Sequence, residues 1–128
     1  MPELLRNEIL VRKPGALADI GCGDAQLLFE LSRQELLQNC RVLGIDPSAQ
    51  RIQRAKELNS TITFLQGSAT DLSAIPSGSL DFVISTQVIE HVSNDEEMLR
   101  EISRILVPDG VLYLSTVFKK WYGWYFYR

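Results

Sequence analysis

An acid and two glycines near the start of the chain have the types and spacing that a nucleoside-like ligand requires. Asp19, Gly21 and Gly23 close a short apolar run and precede a segment with helical spacing. Because glycine has no Cβ, the chain can turn sharply here and a ligand can lie against the main chain. The first N–H groups of the following helix would face the same loop and favour an anionic group. These residues predict a ligand-binding turn at the end of a strand.

A second acid, Asp46, ends the next apolar run and lies twenty-three residues beyond Gly23. A carboxylate in that place can accept hydrogen bonds from both vicinal hydroxyls of a ribose. Taken singly, Asp46 is also typical of a turn or helix cap, and Asp19 of a strand-terminal turn. The glycines between them favour the ligand-binding interpretation. Gln26 stands where a dinucleotide fingerprint requires its third glycine, so an NAD-binding Rossmann domain is the less favoured alternative.

The elements that must position these residues alternate along the chain. Strand-like runs occur at residues 16–20, 41–45, 62–65, 80–85 and 111–117, and helix-like stripes lie between most of them. Pro108, Asp109 and Gly110 are expected to end the last helix before the last strand, and residues 66–79 predict no helix. The pattern predicts an α/β fold with a Rossmann-like, mainly parallel sheet and flanking helices. Ligands are expected beyond the carboxyl ends of its strands.

Composition limits the class of protein and of partner. With 128 residues and 45% hydrophobic content, the chain can form one ordinary core. The net charge is −3 without a basic stripe, which favours a small-molecule partner over a nucleic acid. Cys22 and Cys40 have no metal-binding spacing and are expected to be free thiols in a reducing compartment, the cytoplasm. No apolar run approaches the roughly 20 residues that span a bilayer, so no membrane association is expected.

Several spaced segments together resemble one enzyme family. Asp19, Gly21 and Gly23 are similar to the first motif of the class I S-adenosylmethionine-dependent methyltransferases, with Ala25 in place of the usual third glycine. The resemblance continues in the family's order through Asp46 and then through residues 64–72, 81–92 and 106–116. It implies S-adenosylmethionine as the cofactor and transfer of its methyl group, by in-line displacement, to an unidentified acceptor.

The resemblance also implies which residues surround the cofactor. They are Asp19, Gly21, Cys22 and Gly23 near the methionine part, Asp46 and Pro47 near the ribose and base, Ser68 and Ala69 at the adenine, and Thr86 and Gln87 at the methionine end. Ser68 stands where the family commonly has an Asp that accepts from the adenine amino group. A hydroxyl can accept that bond without a charge, and Asp71 is the alternative acceptor.

His91, the only histidine, is the candidate catalytic residue. An imidazole could take a proton from an acceptor hydroxyl or amine, and the alternative is a helix-flanking histidine with no chemical task. Some relatives carry Glu-x-x-Glu-His here and bind a divalent metal. In this chain the segment is Gln87-x-x-Glu90-His91, which lacks one carboxylate, so no metal site is expected.

The end of the chain departs most from the family, whose sheet has seven strands. We expect one S-adenosylmethionine-binding, methyltransferase-like domain over residues 1–128, incomplete at its C-terminal end and lacking the last two strands. The fifth strand would then be an unprotected edge. Six aromatic residues crowd into residues 121–127 and could drive self-association or pack onto the chain's own sheet. A noncatalytic fragment that binds the cofactor, or a partner through this segment, is the alternative function.

Overall fold

The computed structural model describes residues 2–59, 61–118 and 121–127. The side chains of residues 117–128 lie outside that description, so self-association through the aromatic segment stays a prediction. Within the described ranges, no helix is both long enough and apolar enough to cross a membrane.

The described residues form helices and strands that alternate as expected. The helices are α1 (Glu3–Arg12), α2 (Gln26–Arg33), α3 (Ala49–Leu58) and α4 (Asp95–Ile105), with a 3-10 helix at Ile89–His91. The strands are β1 (Ala16–Ile20), β2 (Arg41–Asp46), β3 (Thr63–Gln66), β4 (Leu80–Thr86), β5 (Leu106–Phe118) and β6 (Trp121–Tyr127).

One sheet contains all of these strands, in the order β3-β2-β1-β4-β5-β6. The first five strands are mutually parallel, which confirms the predicted fold class. In register, Asp19 of β1 lies between Gly44 of β2 and Ile84 of β4. The winding direction reverses at β1, so the loops after β1 and β4 flank the crevice where such sheets bind ligands.

The sheet has a sixth strand that the sequence pattern did not indicate. β6 pairs antiparallel with β5 along its whole length, from Leu112 opposite Tyr127 to Phe118 opposite Trp121. This pairing corrects the expectation that β5 is an unprotected edge. A crowd of aromatic residues without alternation does not reveal a strand by its period, although aromatic residues are favoured in strands.

The start of β5 also differs from the prediction. The strand begins at Leu106, directly after α4, and not at Val111. Leu80 pairs with Leu106 while Phe82 pairs with Val111, so the turn residues Pro108–Gly110 form an irregularity inside the strand. The helix therefore ends without a separate connecting turn, because Leu106, the next residue, already pairs with Leu80 of β4.

Two apolar cores lie on the two faces of the sheet. Leu17, Phe82 and Tyr113 face α1, α2 and α3 in the first core, and all three are fully buried. Ala18 and Val83 belong to the second core, together with α4 and the irregular segment 66–79. Both faces of the central strands are covered, which explains why their sequences are continuously apolar.

Candidate active site

A cleft of about 520 Å³ lies at the carboxyl ends of the parallel strands. The residues that border it follow β1, β2, β3 and β4. Eight residues predicted from the sequence line it: Gly21, Asp46, Pro47, Ser68, Ala69, Thr86, Gln87 and His91. Neighbouring strands are about 4.8 Å apart, so the cleft crosses about 14 Å of sheet edge. It is long enough for a nucleoside that carries an amino-acid tail.

Asp46, at the end of β2, holds the turns on both sides of the cleft. Its Oδ1 accepts a hydrogen bond from the Gly23 N–H at 3.1 Å, and its Oδ2 accepts one from the Ser48 N–H at 3.0 Å. The residue is 4% exposed and lines the cleft. A carboxylate can accept about four hydrogen bonds, so both oxygens keep a lone pair for ligand hydroxyls.

Asp19 lies behind the cleft wall rather than in it. It is fully enclosed, and its Oδ1 has no hydrogen-bond partner among the described residues. Loss of solvation by burial, with a smaller contribution from the Asp46 charge, raises the pKa of Asp19 to about 7. A buried acceptor without a partner is costly. The Asp19 Oδ1 therefore keeps an unused capacity to accept a hydrogen bond or to balance a positive charge.

Cys22 turns away from the cleft into the first core. Its main-chain N–H donates to the Ile45 carbonyl at 2.9 Å, and the Gly21 N–H donates to the same carbonyl at 2.7 Å. These two amides are committed to β2 and are not available to a ligand carboxylate. Burial, and then the charge of Asp19, raises the pKa of the Cys22 thiol to about 12, so it is protonated at neutral pH.

The two glycines of the turn serve different purposes. Both have positive φ angles, +83° at Gly21 and +60° at Gly23. A Cβ on Gly21 would collide with the Val88 side chain, whereas a Cβ on Gly23 would meet nothing within 4 Å. Gly21 is required by protein packing, and Gly23 leaves its stretch of main chain open to a ligand.

The segment after β4 forms the far wall of the cleft. Gln87 has a positive φ of 55°, an uncommon conformation for a residue other than glycine, and its N–H donates to the Ser115 carbonyl at 2.8 Å. Backbone strain of this kind clusters at functional sites. The fixed turn directs the following 3-10 helix, which carries Glu90 and His91, along the rim.

The Glu90 carboxylate forms a hydrogen bond and a close contact within the protein. One of its carboxylate oxygens accepts a hydrogen bond from the Thr116 hydroxyl at 2.7 Å, and the other lies 3.8 Å from His91 Nε2. The His91 side chain is 79% exposed. Within the described residues, no group of three or more His, Cys, Asp or Glu side chains could hold a metal ion. That no metal binds here stays a prediction.

The cleft includes residues that the sequence did not single out. They are Ser48, Arg51, Gly67, Thr70, Val88, Val92 and Ser93. Arg51 lies in the first turn of α3 and lines the cleft. The sequence signal that could have identified Arg51 as a cleft residue was its position shortly after Asp46, because the first turn of that helix borders the same edge of the sheet.

A second cleft, of about 500 Å³, lies between α4 and the first residues of β5. Its side chains are mostly aliphatic, and it contains none of the predicted site residues. Convergent polar groups, rather than volume, distinguish a functional cleft, so we assign the site to the carboxyl edge of the sheet.

Comparison with known proteins agrees with this arrangement. A family model described as a methyltransferase domain matches residues 18–114. The chain belongs to the class I S-adenosylmethionine-dependent methyltransferases. The resemblance inferred from the sequence is thereby confirmed. The matched residues run from β1 into β5 and contain every element that borders the cleft.

Individual relatives of this methyltransferase domain differ in the substrates their names give. It is 32% identical over 109 residues to ajmaline N-methyltransferase from Rauvolfia serpentina, covering 82% of this chain and 37% of the relative. It is 32% identical over 105 residues to a ubiquinone biosynthesis O-methyltransferase from Caulobacter vibrioides, covering 79% and 40%. The chain thus spans less than half the length of these curated relatives.

Solved structures show the same fold. One match is a chain of the complex between the Haloferax volcanii Trm112 methyltransferase activator and its methyltransferase. It has a TM-score of 0.73 and 27% identity, and the match covers 86% of this chain and 50% of that one.

The residues present fit the cofactor that the family uses. The Asp19 Oδ1 has no hydrogen-bond partner among the described residues, and the main chain at Gly23 is open. At the start of α2, the N-cap residue Ala25 makes no side-chain cap hydrogen bond, so the first N–H groups of the helix have no such partner. Negative charge suits an ammonium or sulfonium, and a helix N-terminus suits a carboxylate.

Proposed function

We propose that this chain binds S-adenosylmethionine along the carboxyl edge of its sheet and presents the methyl group to a small-molecule acceptor. The observation that carries the proposal is the cleft that brings Asp46 together with Ser68 and Gln87. The order of strands suits an extended nucleoside, with the base beside β3, the ribose beside β2, and the amino-acid part beside β1 and β4.

The chain's own residues would bind and orient the two reactants. Asp46 would accept from the ribose hydroxyls, and Thr86 and Gln87 would bound the reacting end. When bound, the cofactor supplies a methyl group on a cationic sulfur, whose leaving group is a neutral thioether. No acid is needed on that side, so alignment supplies most of the rate enhancement. The described residues that line the cleft include no catalytic triad, and this chemistry does not require one.

His91 is the proposed general base. Its exposed imidazole lies on the rim, where it could take a proton from an acceptor hydroxyl or amine. The Glu90 carboxylate lies 3.8 Å from its Nε2. A base of this kind contributes about 10² to 10⁴ in rate, and only where the acceptor must lose a proton.

The net charge and the relatives both support a small-molecule acceptor. The net charge of −3 disfavours a nucleic-acid backbone as partner. Two relatives are named for N-methylation of ajmaline and for O-methylation in ubiquinone biosynthesis. Cys22 and Cys40 are both free thiols, which supports a reducing compartment such as the cytoplasm.

Calorimetry with S-adenosylhomocysteine and with NAD tests cofactor binding. We expect the first ligand to bind and NAD to bind much more weakly, because residue 26 is not the third glycine of a dinucleotide site. Preference for NAD would refute the proposal. Incubation with labelled S-adenosylmethionine and cell extract then separates a catalytic domain from a noncatalytic cofactor-binding fragment, which would label nothing.

Asp46→Asn tests the ribose contact, and the chain supplies a matched control. Asp81 accepts hydrogen bonds from the Gly15 and Ala16 N–H groups, at 3.1 and 3.2 Å, at the opposite end of the sheet. Asp81→Asn removes the same charge from a similar structural role. We expect Asp46→Asn to weaken S-adenosylhomocysteine binding about tenfold or more and Asp81→Asn to leave it unchanged. Equal affinities in the two variants would contradict the assignment.

A further inference from the structure

Two hydroxyl groups form a reversible pair at the β3 end of the cleft. Ser68 Oγ and Thr70 Oγ1 are 2.9 Å apart, and either can be the donor. The Thr70 N–H also donates to Ser68 Oγ at 3.2 Å, which fixes the position of that oxygen. Both residues line the cleft. Because each hydroxyl is both donor and acceptor, the pair can present either function to a ligand.

No carboxylate accompanies this pair. Among the described residues that line the cleft, Asp46 is the one carboxylate, and we assign its remaining lone pairs to the ribose hydroxyls beside β2. The nearby Asp71 does not line the cleft, and its Oδ1 accepts from the Ser73 N–H at 3.2 Å. Arg51, which does line it, can only donate.

We propose that the Ser68–Thr70 pair forms a hydrogen bond with the group at position 6 of a purine. The pair binds an amino group or an oxo group there with similar affinity. This inference rests on the proposed function, which seats the base beside β3. An adenine amino group would donate to the pair, and a 6-oxo purine would accept from it after the pair reverses.

The expected tolerance follows from what a carboxylate would do in the same place. A carboxylate only accepts, so it would favour the amino group with a charge-assisted bond and repel the oxygen of the 6-oxo base. Ser68 is exposed and Thr70 is half-buried, and a base lying over them would shield the contact from water. A group of fixed hydrogen-bond polarity under the base would then leave the mismatched ligand unpaired. A pair of reversible hydroxyls leaves neither ligand unpaired.

The test is a calorimetric comparison of S-adenosyl-L-homocysteine with its 6-oxo analogue, S-inosyl-L-homocysteine, on the 128-residue chain. We expect the two dissociation constants to agree within about tenfold. An analogue bound more than about tenfold more weakly than S-adenosylhomocysteine would overturn the inference and leave the proposed function intact. If neither ligand bound, the proposed function itself would fail.

The Ser68→Asp variant tests the converse, that a carboxylate at this place restores a preference for the amino group. Ser32→Asp, at an exposed position of α2, is the matched control. The new carboxylate at residue 68 should raise the preference for the 6-amino ligand at least about tenfold, and the control should not change it. An unchanged preference in Ser68→Asp would show that the pair does not face the base. The wild-type comparison decides the inference by itself if the Ser68→Asp variant does not fold.

Discussion

At the scale of single residues, the protonation of Asp19 links the stability of the fold to pH. Its pKa is about 7 in the folded chain against an ordinary value of 3.8, because burial disfavours the charged form. Between these values the folded state holds a proton that the unfolded state has lost. The free energy of unfolding therefore falls as pH rises from about 4 to 7, by a few kcal/mol in total. Below pH 4 the penalty is absent.

Asp19→Asn removes this dependence. The variant should gain stability relative to the wild type by a few kcal/mol more at pH 8 than at pH 4.5. Urea denaturation of both proteins at the two pH values measures the difference, and the titration of all other carboxyl groups cancels in the comparison. If the variant and the wild type differed in free energy of unfolding by the same amount at both pH values, Asp19 would be ionised in the folded chain at both.

The two glycines of the turn should respond differently to alanine. Gly21→Ala combines a positive φ with a collision against Val88, so we expect a loss of more than about 2 kcal/mol in the free energy of unfolding. Gly23→Ala has only the conformational cost, about 1 kcal/mol, because nothing lies within 4 Å of the new methyl. Thermal or urea denaturation separates the two.

Ligand affinity gives the second half of that test. Gly23 is not among the residues that line the cleft, but its open main chain follows β1, where we propose that the amino-acid part of the cofactor lies. The folded Gly23→Ala variant should therefore bind S-adenosylhomocysteine more weakly. Equal stabilities for the two variants would show that Val88 moves aside at little cost. An unaltered affinity in Gly23→Ala would place the ligand elsewhere.

At the scale of elements, α4 holds the irregular segment that follows the base end of the cleft. The Arg104 guanidinium donates to the Leu72 carbonyl at 2.8 Å and to the Ile75 carbonyl at 3.0 Å. Glu101 accepts from Arg104 at 2.6 Å and from the Leu72 N–H at 3.1 Å. These contacts satisfy main-chain groups that a helix would have satisfied internally.

Arg104→Met should therefore loosen this segment. We expect a loss of about 2 kcal/mol, because two half-buried carbonyls and one carboxylate lose a charged donor. Hydrogen exchange should quicken at the amides of residues 72–79 more than in the central strands. Arg100→Met, at an exposed position of the same helix, is the control and should alter neither quantity. Unchanged exchange in Arg104→Met would show that the segment is held by its apolar contacts alone.

At the scale of the whole molecule, β6 is the outer strand of the described sheet. The backbone groups on its far side have no partner strand in that sheet, and such an edge is a template for pairing with another chain. We expect the mass measured by light scattering to rise with protein concentration. A mass of one chain at all concentrations would contradict association through this edge.

The sequence by itself determined the alternation of elements and the position of the glycine turn. Apolar runs at residues 16–20 and 80–85 and the helix-like stripes between the runs are local signals, and the structure has the corresponding strands and helices. The family also followed from local motifs in a fixed order. The sequence did not reveal β6, because pairing with β5 is a non-local contact and the aromatic run has no period of its own.

Only the tertiary structure decided how the residues of the site divide their work. Gly21 and Gly23 are alike in sequence, yet Val88, sixty-seven residues beyond Gly21, fills the space over one and leaves the other open. Asp19 and Asp46 are both strand-terminal acids, yet burial leaves the first with one oxygen unpartnered while the second binds two amides. Which neighbours a side chain meets depends on the packing of distant segments, and that packing is not encoded in spacing along the chain.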